Sequence, residues 1–150
     1  MGYLTSFRIG SSGLSAQRLR LDVISNNIAN AETTRTADGG PYKRQDVVFT
    51  TSQKQMPFAN MLLVNRKLGE KALQLNGVAV SQIVTDETPG TTVYSPNHPD
   101  ANAEGYVNYP NVDLVVEMTN MLSATRSYEA NLNVIDAART MAQRALEIGK

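Results

Sequence analysis

His98 is the only histidine in the chain, and it stands two residues before Asp100 and six before Glu104 in a stretch interrupted by Pro96 and Pro99. One imidazole with two carboxylates makes an incomplete metal centre unless a further ligand converges from elsewhere in the fold. A metal-assisted hydrolase built on this loop is therefore a weak alternative. A Ser-His-Asp triad could be drawn from many serines, but nothing in the spacing selects one. Gly10 and Gly13 lack the Gly-Lys-Ser/Thr that lets a glycine loop wrap a phosphate. The chain has no cysteine, which removes disulfides, thiolate ligands and cysteine nucleophiles together. The expectation is a protein with no catalytic residues and no cofactor or metal.

Composition narrows the partners. With 150 residues and 41% hydrophobic content, the chain can build one modest domain. Fourteen basic residues balance fourteen acidic ones, so there is no positive excess to neutralise a phosphate backbone, and nucleic acid is not an expected partner. The longest stretch free of formal charge, Ala72 to Thr85, is 14 residues and includes Gln74, Asn76, Ser81 and Gln82, too short and too polar to span a bilayer. No direct membrane insertion is expected. The opening residues, Met1 to Arg8, lack the basic start and apolar run of a secretory signal, so export would follow another route.

Two helices frame the chain. The first is predicted from near Ser6, a capping hydroxyl, to near Ala31, because Leu14, Gln17, Leu21, Ile24, Ile28 and Ala31 recur at spacings of three and four. Its glycines, serines and three asparagines are poor helix formers, so it should be marginal in isolation. Asp38-Gly39-Gly40-Pro41 then marks a turn, and Tyr42 to Thr50 favours a strand. Leu73-Gln74-Leu75, Asn76-Gly77 and Val78-Ala79-Val80 read as a tight hairpin, with Ile83 and Val84 extending its second arm. Thr51 to Glu70 fits strand or short helix equally. Ser95 to Asp100, with its two prolines, reads as an ordered surface loop.

The C-terminal helix is predicted to start after Pro110-Asn111 and to run to about Ile148 without proline or glycine. Leu114, Met118, Met121, Thr125, Tyr128, Leu132, Ile135, Arg139, Ala142 and Leu146 alternate spacings of four and three, as a coiled-coil seam does. A second stripe, Val134, Ala138, Met141, Ala145 and Ile148, lies about 100° away around the same helix. One partner helix cannot cover both. The surplus face suggests assembly coupled to folding, and a monomeric hairpin whose second stripe packs on the β segment is the alternative. The predicted fold is α+β: terminal helices packed as an antiparallel hairpin or coiled coil, with a small β-hairpin-containing middle. Residues 1–35 plus 110–150 would form the helical core domain, and residues 36–109 a β-rich middle region with loops.

Particular residues carry a resemblance. Ser25-Asn26-Asn27-Ile28-Ala29-Asn30-Ala31 followed by Tyr42-Lys43-Arg44 resembles the N-terminal signature of the axial proteins of the bacterial flagellum. Tyr94 to Ala101, Gly105-Tyr106-Val107, Pro110-Asn111-Val112, Glu117-Met118 and Arg126 to Asn131 are similar to the proximal-rod members of the flagellar basal-body rod family. The resemblance implies a structural subunit of the rod, not an enzyme, located in the basal body within the periplasm. It implies passage through the flagellar type III export apparatus. The implied partners are other proximal and distal rod proteins and the adaptor and membrane-ring proteins at the rod base, in a homo- and hetero-oligomeric assembly. Another flagellar rod or hook protein is the alternative within the same class.

Within that reading, the expected assembly interface combines apolar and polar side chains of both helices. Leu14, Leu21, Ile24 and Ile28 would serve from the first helix, and Met118, Met121, Leu132, Ile135 and Met141 from the second. Asn26, Asn27 and Asn30 would hydrogen-bond adjacent subunits, since buried amides are tolerated only when satisfied and so fix register. The other reading makes them solvated residues at a helix end. Arg126, Tyr128, Glu129 and Asn131 form either an intersubunit ion-pair network or a solvated face, where a pair contributes little.

Overall fold

A computed structural model describes residues 3–37, 39–52 and 76–148. Helix α1, Tyr3–Ala29, leads through a loop to strand β1, Gln45–Ser52. Strand β2, Gly77–Thr85, returns antiparallel to β1, with Gln45 opposite Thr85, Ser52 opposite Gly77 and a register shift between Val48 and Phe49. Two short strands, β3 (Thr92–Tyr94) and β4 (Tyr106–Asn108), pair antiparallel in a second sheet. Helix α2, Leu114–Ile148, ends the fold. No helix among the described residues is long and apolar enough to cross a membrane.

Local chemistry explains the element ends. Asp113 starts α2: its carboxylate accepts from Val115 N (2.8 Å) and Val116 N (3.2 Å), and its carbonyl accepts from Glu117 N (2.9 Å). In the weak middle of α1, Ser11, Ser12 and Ser15 each return a hydroxyl hydrogen bond to a carbonyl of the preceding turn. The predicted turn before Pro41 is present. Gly39 and Gly40 both sit at φ +83°, and Thr36 N bonds Gly40 O. The loop after β3 is closed by bonds from Ser95 N to Gly105 O and from Ala101 N to His98 O.

The helices form an antiparallel hairpin, because Gly10 faces Ile135, Gly13 faces Asn131 and Asn27 reaches Glu117. The packed seam differs from the one the heptad pattern selects. A methyl placed on Gly10 would stand 2.8 Å from Ile135 Cγ1, and one on Gly13 2.7 Å from Asn131 Oδ1. The buried line of α2 runs through Glu117, Ala124 and Ala138, the last of them a member of the second stripe, beside Ile135 of the first. Small residues let the helix backbones approach closely. That approach turns the bulkiest seam positions, Met118 (58% exposed) and Leu132 (43%), out to the flank.

A second correction concerns Asn76-Gly77. Gly77 is the first residue of β2 and has no positive φ, so the dipeptide makes no type I′ turn. Its lack of a side chain serves packing: a Cβ there would collide with Ser12 Oγ, which accepts a hydrogen bond from Val78 N (3.1 Å). Among the described residues β2 pairs with β1, the strand predicted from Tyr42. The Leu73-Leu75 arm, and Thr51 to Glu70 apart from the end of β1, lie outside the described residues.

Both β1 and β2 pack on α1 and neither packs on α2. Among the described residues the buried apolar side chains are Ala16, Val23, Ile24, Val47, Val107, Ala124 and Ala138. Three of these are alanines. Burying a Val or Ile contributes roughly 1.5–3 kcal/mol and an alanine far less, so this core is thin for a chain with so many large apolar residues outside it.

Candidate assembly interface

The site begins with a buried polar junction where α1, β1 and α2 meet. Asn27 and Glu117 are both 0% exposed. The Asn27 amide donates to Gln45 O (2.8 Å) and Glu117 Oε2 (3.1 Å), while its carbonyl accepts from Gln45 N (3.0 Å) and the Tyr42 hydroxyl (2.8 Å). Arg44 Nε donates to Glu117 Oε1 at 2.9 Å, and Asn120 reaches the same oxygen at 3.3 Å. Arg44 N donates to Asn111 Oδ1 at 3.0 Å. One side chain from each segment thus meets the needs of the others, apart from the buried Asn111 Nδ2, which has no hydrogen-bond partner among the described residues. The main chain entering β1 is fixed by Asn27, which is why the strand begins at Gln45 and not at Tyr42.

Electrostatics follow from that closure. Burial pulls the Arg44 guanidinium toward losing its proton, but the Glu117 hydrogen bond and charge, with Asp46 beside it, hold its pKa above the ordinary arginine value. Burial, then the Glu117 charge, raises the Tyr42 phenol above its ordinary value of 10.0. The phenol therefore stays protonated and donates to Asn27.

This geometry redistributes the expected interface residues. Asn27 has all of its hydrogen-bonding capacity used inside the chain, so it is a folding residue with nothing left for a neighbouring subunit. Asn30 donates to Asn26 O and Asn26 Oδ1, both at 2.9 Å, and Asn26 reaches the Tyr42 hydroxyl at 3.3 Å. Ile24 is buried; Ile135 and Asn131 are half-buried against Gly10 and Gly13. Arg126 and Glu129 are exposed and form no ion pair with any described residue, and Tyr128 is half-buried.

The remaining apolar residues sort into two surfaces. Leu14 and Leu21 each lie two residues, about 200°, around α1 from Ser12 and Leu19, which line the contact with β2. Leu14, Leu21 and Ile28 therefore face away from the sheet, at spacings of seven. Turning α2 by the same angle per residue in the antiparallel sense brings Met118, Met121 and Leu132 to that side. Val116, Val134 and Met141 come to the other. Met118 and Leu132 are 58% and 43% exposed on the first side, and Val116, Val134 and Met141 are 50%, 53% and 54% exposed on the second, so each side of α2 carries more than an isolated exposed apolar residue.

Sequence reasoning missed the junction residues Tyr42, Arg44 and Glu117 as a unit. A signal was present: Glu117 falls three and seven residues before Asn120 and Ala124, on the line of α2 that packs, and a carboxylate there requires a cation. His98 Nδ1 accepts from Asp100 N at 3.1 Å, and Asp100 itself accepts from Thr34 Oγ1 at 2.8 Å. These contacts tie the proline-rich loop to the α1–β1 connection.

A buried polar junction, paired terminal helices and an apolar face left open among the described residues are the marks of a structural class of protein, and comparison with known proteins places that class. Residues 7–35 match the model described as flagella basal body rod protein, and residues 103–148 match that of the flagellar basal body rod FlgEFG protein C-terminal region. The chain is 46% identical to the flagellar basal-body rod protein FlgC of Borreliella burgdorferi, covering 99% of this chain and 98% of the relative. It is 44% identical to the FlgC of Bacillus subtilis over 97% of both, and 37% identical to that of Salmonella typhimurium over the full length of both. The chain belongs to the FlgC family of flagellar basal-body rod proteins.

Proposed function

We propose that the chain is a structural subunit of the proximal rod of the bacterial flagellum, residing in the basal body within the periplasm and carrying torque from the basal ring toward the distal rod and hook. The observation that carries this reading is full-length similarity to FlgC proteins together with a pair of terminal helices whose large apolar side chains are left outside the fold. Residues 1–35 with 110–150 act as the helical core of each subunit, and residues 36–109 form the outer, β-containing part. Leu14, Leu21, Ile28, Met118, Met121 and Leu132 supply the apolar contact between subunits, and Asn26, Asn30, Arg126 and Glu129 supply its polar rim. Neighbours are other rod proteins, proximal and distal, and the adaptor and ring proteins at the rod base, reached through the flagellar export apparatus. The function is mechanical: close-packed helices resist deformation and pass on rotation.

Deleting the gene should leave cells without rods and without motility, and expressing the intact chain should restore both. Normal rods in the deletion strain would overturn the proposal.

A further inference from the structure

The structure assigns Asn76 as a site of spontaneous, non-enzymatic modification: attack by the main-chain nitrogen of Gly77 converts it to aspartyl and isoaspartyl residues. Asn76 is the only asparagine in the chain followed by glycine, where no side chain shields the attacking nitrogen. It is exposed, lies just outside β2, and makes no side-chain hydrogen bond to any described residue. Several other asparagines among the described residues are tied down. Asn27 uses every donor and acceptor, Asn102 Oδ1 accepts from Glu104 N and Tyr106 N, Asn108 accepts from Thr92, and Asn131 donates to Ser127 O.

The packing retains the susceptible pair. Gly77 cannot be exchanged for a bulkier, protective residue without collision with Ser12 Oγ. In the reaction the Gly77 nitrogen bonds to Asn76 Cγ, the bond from Cγ to the side-chain amide nitrogen breaks, and that nitrogen leaves as ammonia with the proton from Gly77. Water then opens the cyclic imide at either carbonyl. The balance is asparagine plus water giving aspartate or isoaspartate plus ammonia, with no redox change. The product adds a negative charge, and its isoaspartyl form inserts a methylene into the main chain where β2 meets α1. That displaces Val78 N from Ser12 Oγ, so modified chains lose grip between helix and sheet.

The test is peptide mapping of the folded, full-length protein after incubation in mildly alkaline buffer, with isoaspartyl methyltransferase as the probe. The Asn76→Gln variant, which could close only a six-membered imide and does so far more slowly, serves as the comparison. The expected result is conversion at Asn76 faster than at any other asparagine, yielding both aspartyl and isoaspartyl peptides, and none at this position in the variant. Conversion at Asn76 in urea-unfolded but not folded protein would overturn the assignment by showing that β2 holds the backbone away from the reactive geometry. Equal conversion across several asparagines would overturn it as well.

Discussion

At the scale of single residues, Glu117 is the side chain whose burial most depends on its partners. It is fully buried, so its charge is tolerable only because Arg44, Asn27 and Asn120 surround it. Removing one partner of a buried pair costs about 3–5 kcal/mol, and Arg44→Met, with the Arg44 side chain 22% exposed, should destabilise the chain by about 3 kcal/mol. Urea unfolding monitored by circular dichroism measures this, and an unchanged midpoint would show the junction to be incidental. Tyr42 adds a pH signature. The folded state holds the phenol proton more tightly than the unfolded chain does, so its contribution is complete below the ordinary value of 10.0 and is lost as pH rises through the raised folded-state value. Stability should therefore fall in the parent protein as pH rises above 10.0 toward the folded-state value, and fall less in Tyr42→Phe. Parallel pH profiles for the two would contradict the assignment.

At the scale of elements, the antiparallel hairpin depends on the absence of side chains where the helices touch. Gly10→Val forces branched methyls toward Ile135 and should cost about 1–3 kcal/mol as the helices move apart. Thermal melting of the purified variant would show it, and an unaltered melting temperature would mean that the seam lies elsewhere. This seam also marks the limit of what the sequence made legible. Helix positions, the strand after Tyr42, the glycine turn and the loop at Ser95 to Asp100 follow from propensity and turn chemistry. Heptad counting rewards large side chains, and therefore put Met118, Met121 and Leu132 in one seam with Ile135, whereas the helices meet through Gly10, Gly13, Ile135, Ala124 and Ala138. The Asn76-Gly77 pair misled for a related reason: glycine signals a turn and a close approach alike, and only the position of Ser12 separates them.

For the molecule as a whole, those same large residues become the feature that needs a partner. α1 is covered by the sheet on one side and by α2 on another, whereas among the described helices and strands α2 packs on α1 alone. A monomer built this way leaves Leu114, Met118, Leu122 and Leu132 between 43% and 58% exposed, which is costly in water and useful in a polymer. The family relationship was readable from the sequence because its signature residues stand in local runs, among them Asn27, Tyr42, Arg44 and Glu117, which are distant in the chain but adjacent in the fold. Their mutual arrangement was not readable, since no periodicity connects α1, the β1 entry and the start of α2.

The most direct test of that account is the amount of protein recovered in purified basal bodies when Met118→Glu with Leu132→Glu replaces the parent chain in a strain lacking its own copy. Both positions are exposed, so the purified double variant should melt close to the parent. It should nevertheless be absent from basal bodies, and the cells should be non-motile. Incorporation at the parental level would contradict the account and show that the uncovered helical face is not where the subunits meet.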